Sequence, residues 1–308
     1  MIYKTISCYK YIPIEDPASR RDSLRALCEN LHLLGRILVG TEGINAAICG
    51  KEAEIGQFKQ ILTQNPSFAD LTFREQNANT QTYHKLVVRV RSEIVSFGVP
   101  VDLSQKGIPL PPAILQQWYE QNEDFIIVDA RNEVEYTVGK FRNAFTLPIK
   151  TFREFPEHTS ALEPFKSKKI VLYCTGGIRC EKASAYLKGQ GFEQVYQLAG
   201  GIINYLTQFP VAPEKITSRE SCKTYWEGGL FVFDDRIVQD VAEAITACQF
   251  CGMKSEKYSN CHNLDCDRLF IGCYTCLQKM EQTCSKQCRE APRQRKEHKV
   301  STWKAGGP

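Results

Sequence analysis

Cys174 closes the apolar run from Ile170 to Tyr173 and opens the hexapeptide Cys174-Thr175-Gly176-Gly177-Ile178-Arg179, after which Cys180 and Glu181 begin a helical pattern. A loop between a strand end and a helix start turns successive backbone N–H groups inward. The helix dipole adds positive potential there, so such a loop favours an anion. A thiolate held in it has a lowered pKa. Gly176 and Gly177 let the backbone curl without Cβ clashes, and Arg179 supplies a fixed positive charge. A strand-end cysteine packed beside a tight turn is the plain alternative; the two glycines and Arg179 together favour the nucleophile. Cys180 has two readings, as a thiol that resolves a persulfide or sulfenic acid on Cys174 or as a weak helix cap. Asp129 and Arg131 read as paired side chains that hold a strand end, structural rather than catalytic.

A second group of sulfur residues lies further along. Cys248-x2-Cys251, Cys261-x4-Cys266, Cys273-x2-Cys276 and Cys284-x3-Cys288 place eight cysteines within 41 residues. Short spacings let two thiolates from one turn reach the same metal, and two such pairs complete a tetrahedral site, so the expectation is zinc, with ligands for two ions. Spacing alone leaves the pairing open, and His262 is an alternative ligand. Reduced cysteines packed as small hydrophobes, or disulfides formed late, are the competing readings. Beyond Cys288, residues 289–304 carry Arg289, Arg293, Arg295, Lys296, Lys299 and Lys304 against Glu290 and Glu297. A solvated tail is preferred over an RNA-binding arm for this stretch.

These groups need elements to position them. The chain of 308 residues, 43% hydrophobic and 24% charged, is long enough for two or three domains with their own cores. Its 39 Lys plus Arg against 35 Asp plus Glu leave a net charge of +4, which permits a polyanionic partner without requiring one. No stretch approaches eighteen apolar residues and residues 1–20 lack the apolar core of an export signal, so neither a membrane span nor secretion is expected. Nine of the fourteen cysteines fall in the last 87 residues, which without export favours metal or thiol chemistry over a disulfide framework.

Residues 1–97 read as strand, helix, strand, strand, helix, strand, strand, a ferredoxin-like α+β domain. Asp16 caps the first helix, Pro17 suits its first turn, and Leu24, Leu27, Leu31 and Leu34 recur at helical spacing before Gly35 ends it. Residues 98–112, with four prolines, read as a linker. Residues 113–215 alternate buried-type strands (Phe125 to Val128, Ile170 to Tyr173, Val195 to Leu198) with helices, one of them from about Glu181 to Lys188, which predicts a doubly wound parallel sheet. Residues 216–308 form the Cys-rich region with its basic tail.

Val128-Asp129-Ala130-Arg131, Glu135 to Gly139, Tyr173 to Arg179 and Leu198-Ala199-Gly200-Gly201-Ile202 resemble the ordered signatures of a rhodanese domain. That resemblance implies a persulfide on Cys174 and a six-residue loop of sulfurtransferase type. Lys140 stands where many rhodaneses have His, and Cys180 where Ser or Thr is common. Together with Gly40-Thr41-Glu42-Gly43-Ile44-Asn45-Ala46, Phe231-Val232-Phe233-Asp234-Asp235-Arg236 and the cysteine tail, the chain is similar over nearly its whole length to the bacterial tRNA uridine-34 hydroxylases. The resemblance implies a cytoplasmic oxidoreductase that uses molecular oxygen to form 5-hydroxyuridine at the wobble position. It also implies tRNA as partner, met at the anticodon loop, with Cys174, Arg179 and Cys180 catalytic and Thr175, Gly176, Gly177 and Ile178 as the anion-binding loop. The residues themselves rank sulfane-sulfur transfer first. The chain shows no G-x-G-x-x-G fingerprint, its five histidines (His32, His84, His158, His262, His298) are dispersed, and no flavin, haem or nicotinamide site is visible. A non-catalytic RNA- or protein-binding scaffold is the third reading. Arg20, Arg21 and Arg25 are the exposed candidates for an RNA platform in the first domain, read first as helix-surface charges.

Overall fold

The computed structural model describes residues 2–211 and 224–295. In the first domain β1 (Tyr3–Tyr11), α1 (Pro17–Asn30), β2 (Leu34–Gly40), β3 (Gly43–Lys51), α2 (Glu52–Thr63), β4 (Arg74–Ala78) and β5 (Leu86–Val90) follow in that order. The sheet runs β4-β1-β3-β2-β5, antiparallel except that β5 lies parallel to β2. Its helix-covered face is set by two-residue alternation. Ile6, Ile37, Ile44, Ile48 and Val88 point to a core shared with Leu24, Ile55, Phe58 and Leu62. The residues between them, including Ser7, Tyr9, Arg36, Asn45 and Arg74, occupy the other face, which no helix of this domain covers.

The first helix begins as expected: the Asp16 carboxylate accepts from Ser19 N–H at 2.9 Å and Pro17 occupies the first turn. It ends earlier than the leucine spacing predicts. Asn30 is its last residue, His32 takes a φ of 52°, and Leu33 rather than Leu34 is buried. The left-handed residue reverses the chain, so Leu34 and Gly35 belong to β2, not to the helix and its stop.

The second unit comprises β6 (Ile108–Leu110), α3 (Pro112–Glu120), β7 (Phe125–Asp129), α4 (Glu133–Val138), β8 (Gly139–Phe141), β9 (Phe145–Thr146), α5 (Phe155–His158), β10 (Lys169–Tyr173), α6 (Ile178–Gly189), β11 (Gln194–Leu198) and α7 (Gly201–Gln208). Its sheet, β6-β11-β10-β7-β9, is parallel throughout. The proline-rich interval 98–112 therefore carries a strand, with Ile108–Leu110 beside Tyr196–Leu198. β10 is buried on both faces. Ile170 and Leu172 pack with Ala183 and Leu187 of α6, while Val171 and Tyr173 pack with Leu115 of α3 and Ile202 and Tyr205 of α7. Helices on both sides of a parallel sheet make this the doubly wound layer.

The chain then returns to that unit. β12 (Trp226–Gly228) pairs antiparallel with β8 and buries Trp226 in the same core; β13 (Leu230–Phe231) pairs with β14 (Val238–Gln239). The Cys-rich region follows with β15 (Tyr258–Asn260), β16 (Leu269–Ile271), α8 (Tyr274–Lys279) and α9 (Lys286–Glu290). Its own apolar cluster is small: Phe270 and Leu277 with Phe250, alongside Cys261, Cys284 and Cys288. No helix among the described residues is long and apolar enough to cross a membrane.

Candidate functional site

β10 delivers Cys174 to the end of the parallel sheet, and α6 starts at Ile178 rather than near Glu181, so the helix N-terminus lies directly after the loop. Gly177 takes a φ of +97°, and a Cβ there would stand 3.0 Å from the Tyr9 hydroxyl. Gly201, at +66°, passes so close that a Cβ would meet the Cys174 carbonyl oxygen at 2.4 Å. Both positions require glycine.

Cys174 is fully buried in the loop, and Gly177 N–H donates to its sulfur at 3.1 Å. Burial alone pushes this thiol up. The Cys180 thiol, the Arg179 charge and the N–H groups of Arg179 and Gly177 outweigh it and bring Cys174 down to about 5. Cys180 moves oppositely: burial and the adjacent Cys174 sulfur hold it well above the ordinary thiol range, leaving it a proton donor. At neutral pH the pair is one thiolate and one thiol.

Arg179 is oriented by a carboxylate that the helix cap holds in place. Its Nη1 and Nη2 donate to Glu135 Oε2 and Oε1 at 2.6 and 2.8 Å. Glu135 also accepts from Asn132 N–H at 3.1 Å, as the third residue of the α4 capping box. Burial pushes the Glu135 carboxyl up, but Arg179 wins and holds it below the usual range. Thr175 Oγ1 stands 3.4 Å from both partners. Asp129 and Arg131 are structural in form: the buried Arg131 guanidinium donates twice to Asp129 and once to Gly139 O, between the rings of Tyr173 and Trp226.

The open face of the first sheet closes over this loop. Tyr9 Oη donates to Glu181 at 3.1 Å, Arg74 Nε to Gly200 O at 3.1 Å, and Lys182 Nζ to Glu42 at 3.0 Å and Glu93 at 2.9 Å. Between face and loop lies a cavity of about 690 Å³ whose wall includes Cys174, Thr175, Gly176, Ile178 and Arg179. Phe233, Asp234 and Arg236 from the strand-rich segment after Trp226 complete it. Sequence reasoning placed the loop residues together but missed Tyr9, Arg36 and Arg74. Their alternation with Ile6, Cys8 and Ile37 signalled a polar face, not what that face would meet.

The eight C-terminal cysteines form two groups, Cys248, Cys251, Cys273, Cys276 and Cys261, Cys266, Cys284, Cys288, with the sulfurs of each within 4.8 Å of one another. The pairs interleave: first with third, second with fourth. Cys251–Cys273, Cys266–Cys284 and Cys284–Cys288 stand at 3.7 Å. A disulfide needs about 2.05 Å, whereas four thiolates each about 2.3 Å from a tetrahedral zinc lie about 3.8 Å apart. Burial pushes Cys248 up, but the N–H groups of Cys273, Phe250 and Cys251 bring it to about 6. Each group can therefore hold a metal ion, and His262 belongs to neither. The described part of the basic stretch folds onto this region: Arg289 donates to Lys279 O, and Arg293 and Arg295 pair with Asp265 and Asp267. Lys296, Lys299 and Lys304 lie outside the described residues.

Family models match all three regions in chain order: a UPF0176 acylphosphatase like domain over residues 3–94, a rhodanese-like domain over 112–208 and a rhodanase C-terminal region over 227–289. A tRNA uridine(34) hydroxylase of Cytophaga hutchinsonii is 37% identical over 299 residues, which cover 95% of this chain and 92% of that protein. One from Onion yellows phytoplasma is 38% identical over 304 residues, 95% and 94% of the two chains. The Chlamydia trachomatis protein of the same name is 34% identical over 303 residues, 94% and 88%.

Proposed function

Because the chain belongs to the tRNA uridine(34) hydroxylase family, we propose that it replaces the C5 hydrogen of uridine 34 in tRNA by a hydroxyl group, giving 5-hydroxyuridine, with dioxygen as oxidant. One oxygen atom enters the base and the other leaves as water, the stoichiometry of a monooxygenase. The balance takes up two electrons and two protons, so a two-electron reductant of thiol class accompanies the substrate.

The position of Cys174 carries this reading: an ionised sulfur in the wall of a cavity of about 690 Å³, roofed by a polar sheet face. That volume lies within the range of small-molecule sites and suits one nucleoside. A wobble base is unpaired in the anticodon loop and is splayed into such a pocket at little cost. Cys174 is the reacting thiolate, and a sulfur added to it as a persulfide extends about 2 Å further from the loop. Arg179 and the Gly177 and Arg179 N–H groups hold the negative charge; Cys180 donates a proton to Cys174 or resolves its oxidised form. A tRNA substrate supports a cytoplasmic location.

The two four-cysteine groups fit zinc in donor type and spacing, and zinc there is structural, fixing a region with little apolar core. Nucleosides from tRNA of cells with and without this protein test the reading by mass spectrometry. 5-Hydroxyuridine must depend on the protein; unchanged levels would refute hydroxylation. The loop geometry also fits sulfane transfer from a Cys174 persulfide, and a protein-dependent thiolated product in place of the hydroxylated one would select that alternative.

A further inference from the structure

The cavity wall holds five arginines and one acid. Arg179 is spent on Glu135, and Arg236 on Asp234, the one acid. Arg36, Arg74 and Arg153 have no carboxylate partner among the described residues. Arg36 projects from the open face of β2, exposed and without a side-chain hydrogen bond there. Arg74 sits on β4 in register with Ser7, its guanidinium 4.9 Å from the centroid of the Tyr9 ring. Arg153 approaches from the second unit with its stem on Gly98, where a Cβ would lie 2.9 Å from its Cγ.

Uncompensated guanidinium groups around one concave space favour an anion with paired acceptor oxygens, and phosphate matches their fork geometry. A cavity sized for one base excludes a duplex, but a single strand that splays one nucleotide inward carries its flanking phosphodiesters along the rim. We propose that Arg36, Arg74 and Arg153 form a phosphodiester-binding wall that seats the RNA backbone on either side of the nucleotide entering toward Cys174. This rests on the tRNA reading above and assigns its RNA contact to the open sheet face. Among other basic groups, Arg21 pairs with Asp22, Arg25 donates to Val88 O, and Arg293 and Arg295 pair with Asp265 and Asp267.

The test measures the affinity of the full chain for an anticodon stem-loop RNA with uridine at position 34, over a range of salt, for wild type, Arg36→Ala, Arg153→Ala and Arg21→Ala. Arg36 and Arg153 are exposed and form no ion pair, so both variants keep the fold. Each loss at the wall is expected to weaken binding about tenfold and lower the slope of log K against log salt by about 0.7, one single-strand phosphate contact. Arg21→Ala, which removes the same charge from α1 behind the sheet, is expected to leave both within about twofold. Alkylation of Cys174 at unchanged pH midpoint in both wall variants confirms an intact loop. Wild-type affinity and slope in Arg36→Ala and Arg153→Ala, or an equal loss in Arg21→Ala, overturns the wall. Absence of 5-hydroxyuridine with wild-type protein overturns the hydroxylase reading alone, because the binding comparison needs no turnover.

Discussion

Around Cys174 the fold is complete before the sulfur matters: a parallel sheet buried on both faces ends in a loop whose N–H groups, arginine and helix start receive a thiolate. In the Cys-rich region the order is reversed. There the apolar cluster is a few side chains, several of them the cysteines themselves, and two sulfur groups that can hold metal ions stand where burial supplies little. One residue type thus sits among fixed anion-holding donors in one region and at metal-ligand spacing with little apolar core in the other.

The largest effect expected from breaking this contrast is at Cys174. Cys174→Ser should lower 5-hydroxyuridine formation by at least about 100-fold without unfolding the protein, since serine keeps the volume but neither ionises near neutrality nor carries a persulfide. Nucleoside analysis of tRNA from cells supplied only with the variant reads it; normal modification would make the loop a structural feature.

Metal removal should act on the other region alone. A strong chelator should release about two zinc ions per chain, at a cost to that region on the order of 10 kcal/mol. Hydrogen exchange should then rise in residues 248–290 and stay low in β7, β10 and β11. Metal analysis that finds none on reduced protein would return the sulfurs to ordinary packing.

The pH dependence sharpens the comparison further. Alkylation of Cys174 should follow a midpoint of about 5. Cys180→Ala should move that midpoint up by about one unit, one hydrogen bond's worth, while Cys180→Ser keeps a donor and changes it less. An unmoved midpoint in Cys180→Ala would leave Arg179 and the loop N–H groups as the whole cause. The folded value lies below that of an unfolded thiol, so the stabilisation is fully present above the unfolded value and is lost as pH falls through about 5. The smallest effect belongs to Arg293→Ala, an exposed pair with Asp265, which should alter stability by less than about 1 kcal/mol and tRNA affinity by less than about twofold. A larger loss of affinity would give the tail the RNA role that its ion pairs argue against.

Most of the loop was legible because its chemistry is local in sequence: Cys174 to Cys180 are consecutive, and strand end, glycines and helix start follow directly. The two-layer ferredoxin-like domain was legible from the order of its elements, strand, helix, strand, strand, helix, strand, strand. The end of α1 was not, because Leu31 and Leu34 keep helical spacing across a turn, and only the left-handed His32 shows where the chain reverses. The ion pair of Arg179 with Glu135 joins residues 44 positions apart, and Tyr9 reaches Glu181 across 172; no local pattern reports such partners.

By itself the sequence determined which groups this protein can use: a cysteine loop that favours an anion, eight thiols at ligand spacing, and strands whose period sorts apolar from polar. Tertiary structure decided what those groups face. The interleaved sulfur pairing and the cavity between the first sheet and the Cys174 loop arise from packing between segments far apart in the chain. The lowered pKa of Cys174 depends on the balance between burial and donors that only the folded loop brings to one point. Period and spacing are one-dimensional and survive in the sequence; electrostatic balance depends on distances in space, and those exist only once the layers have closed.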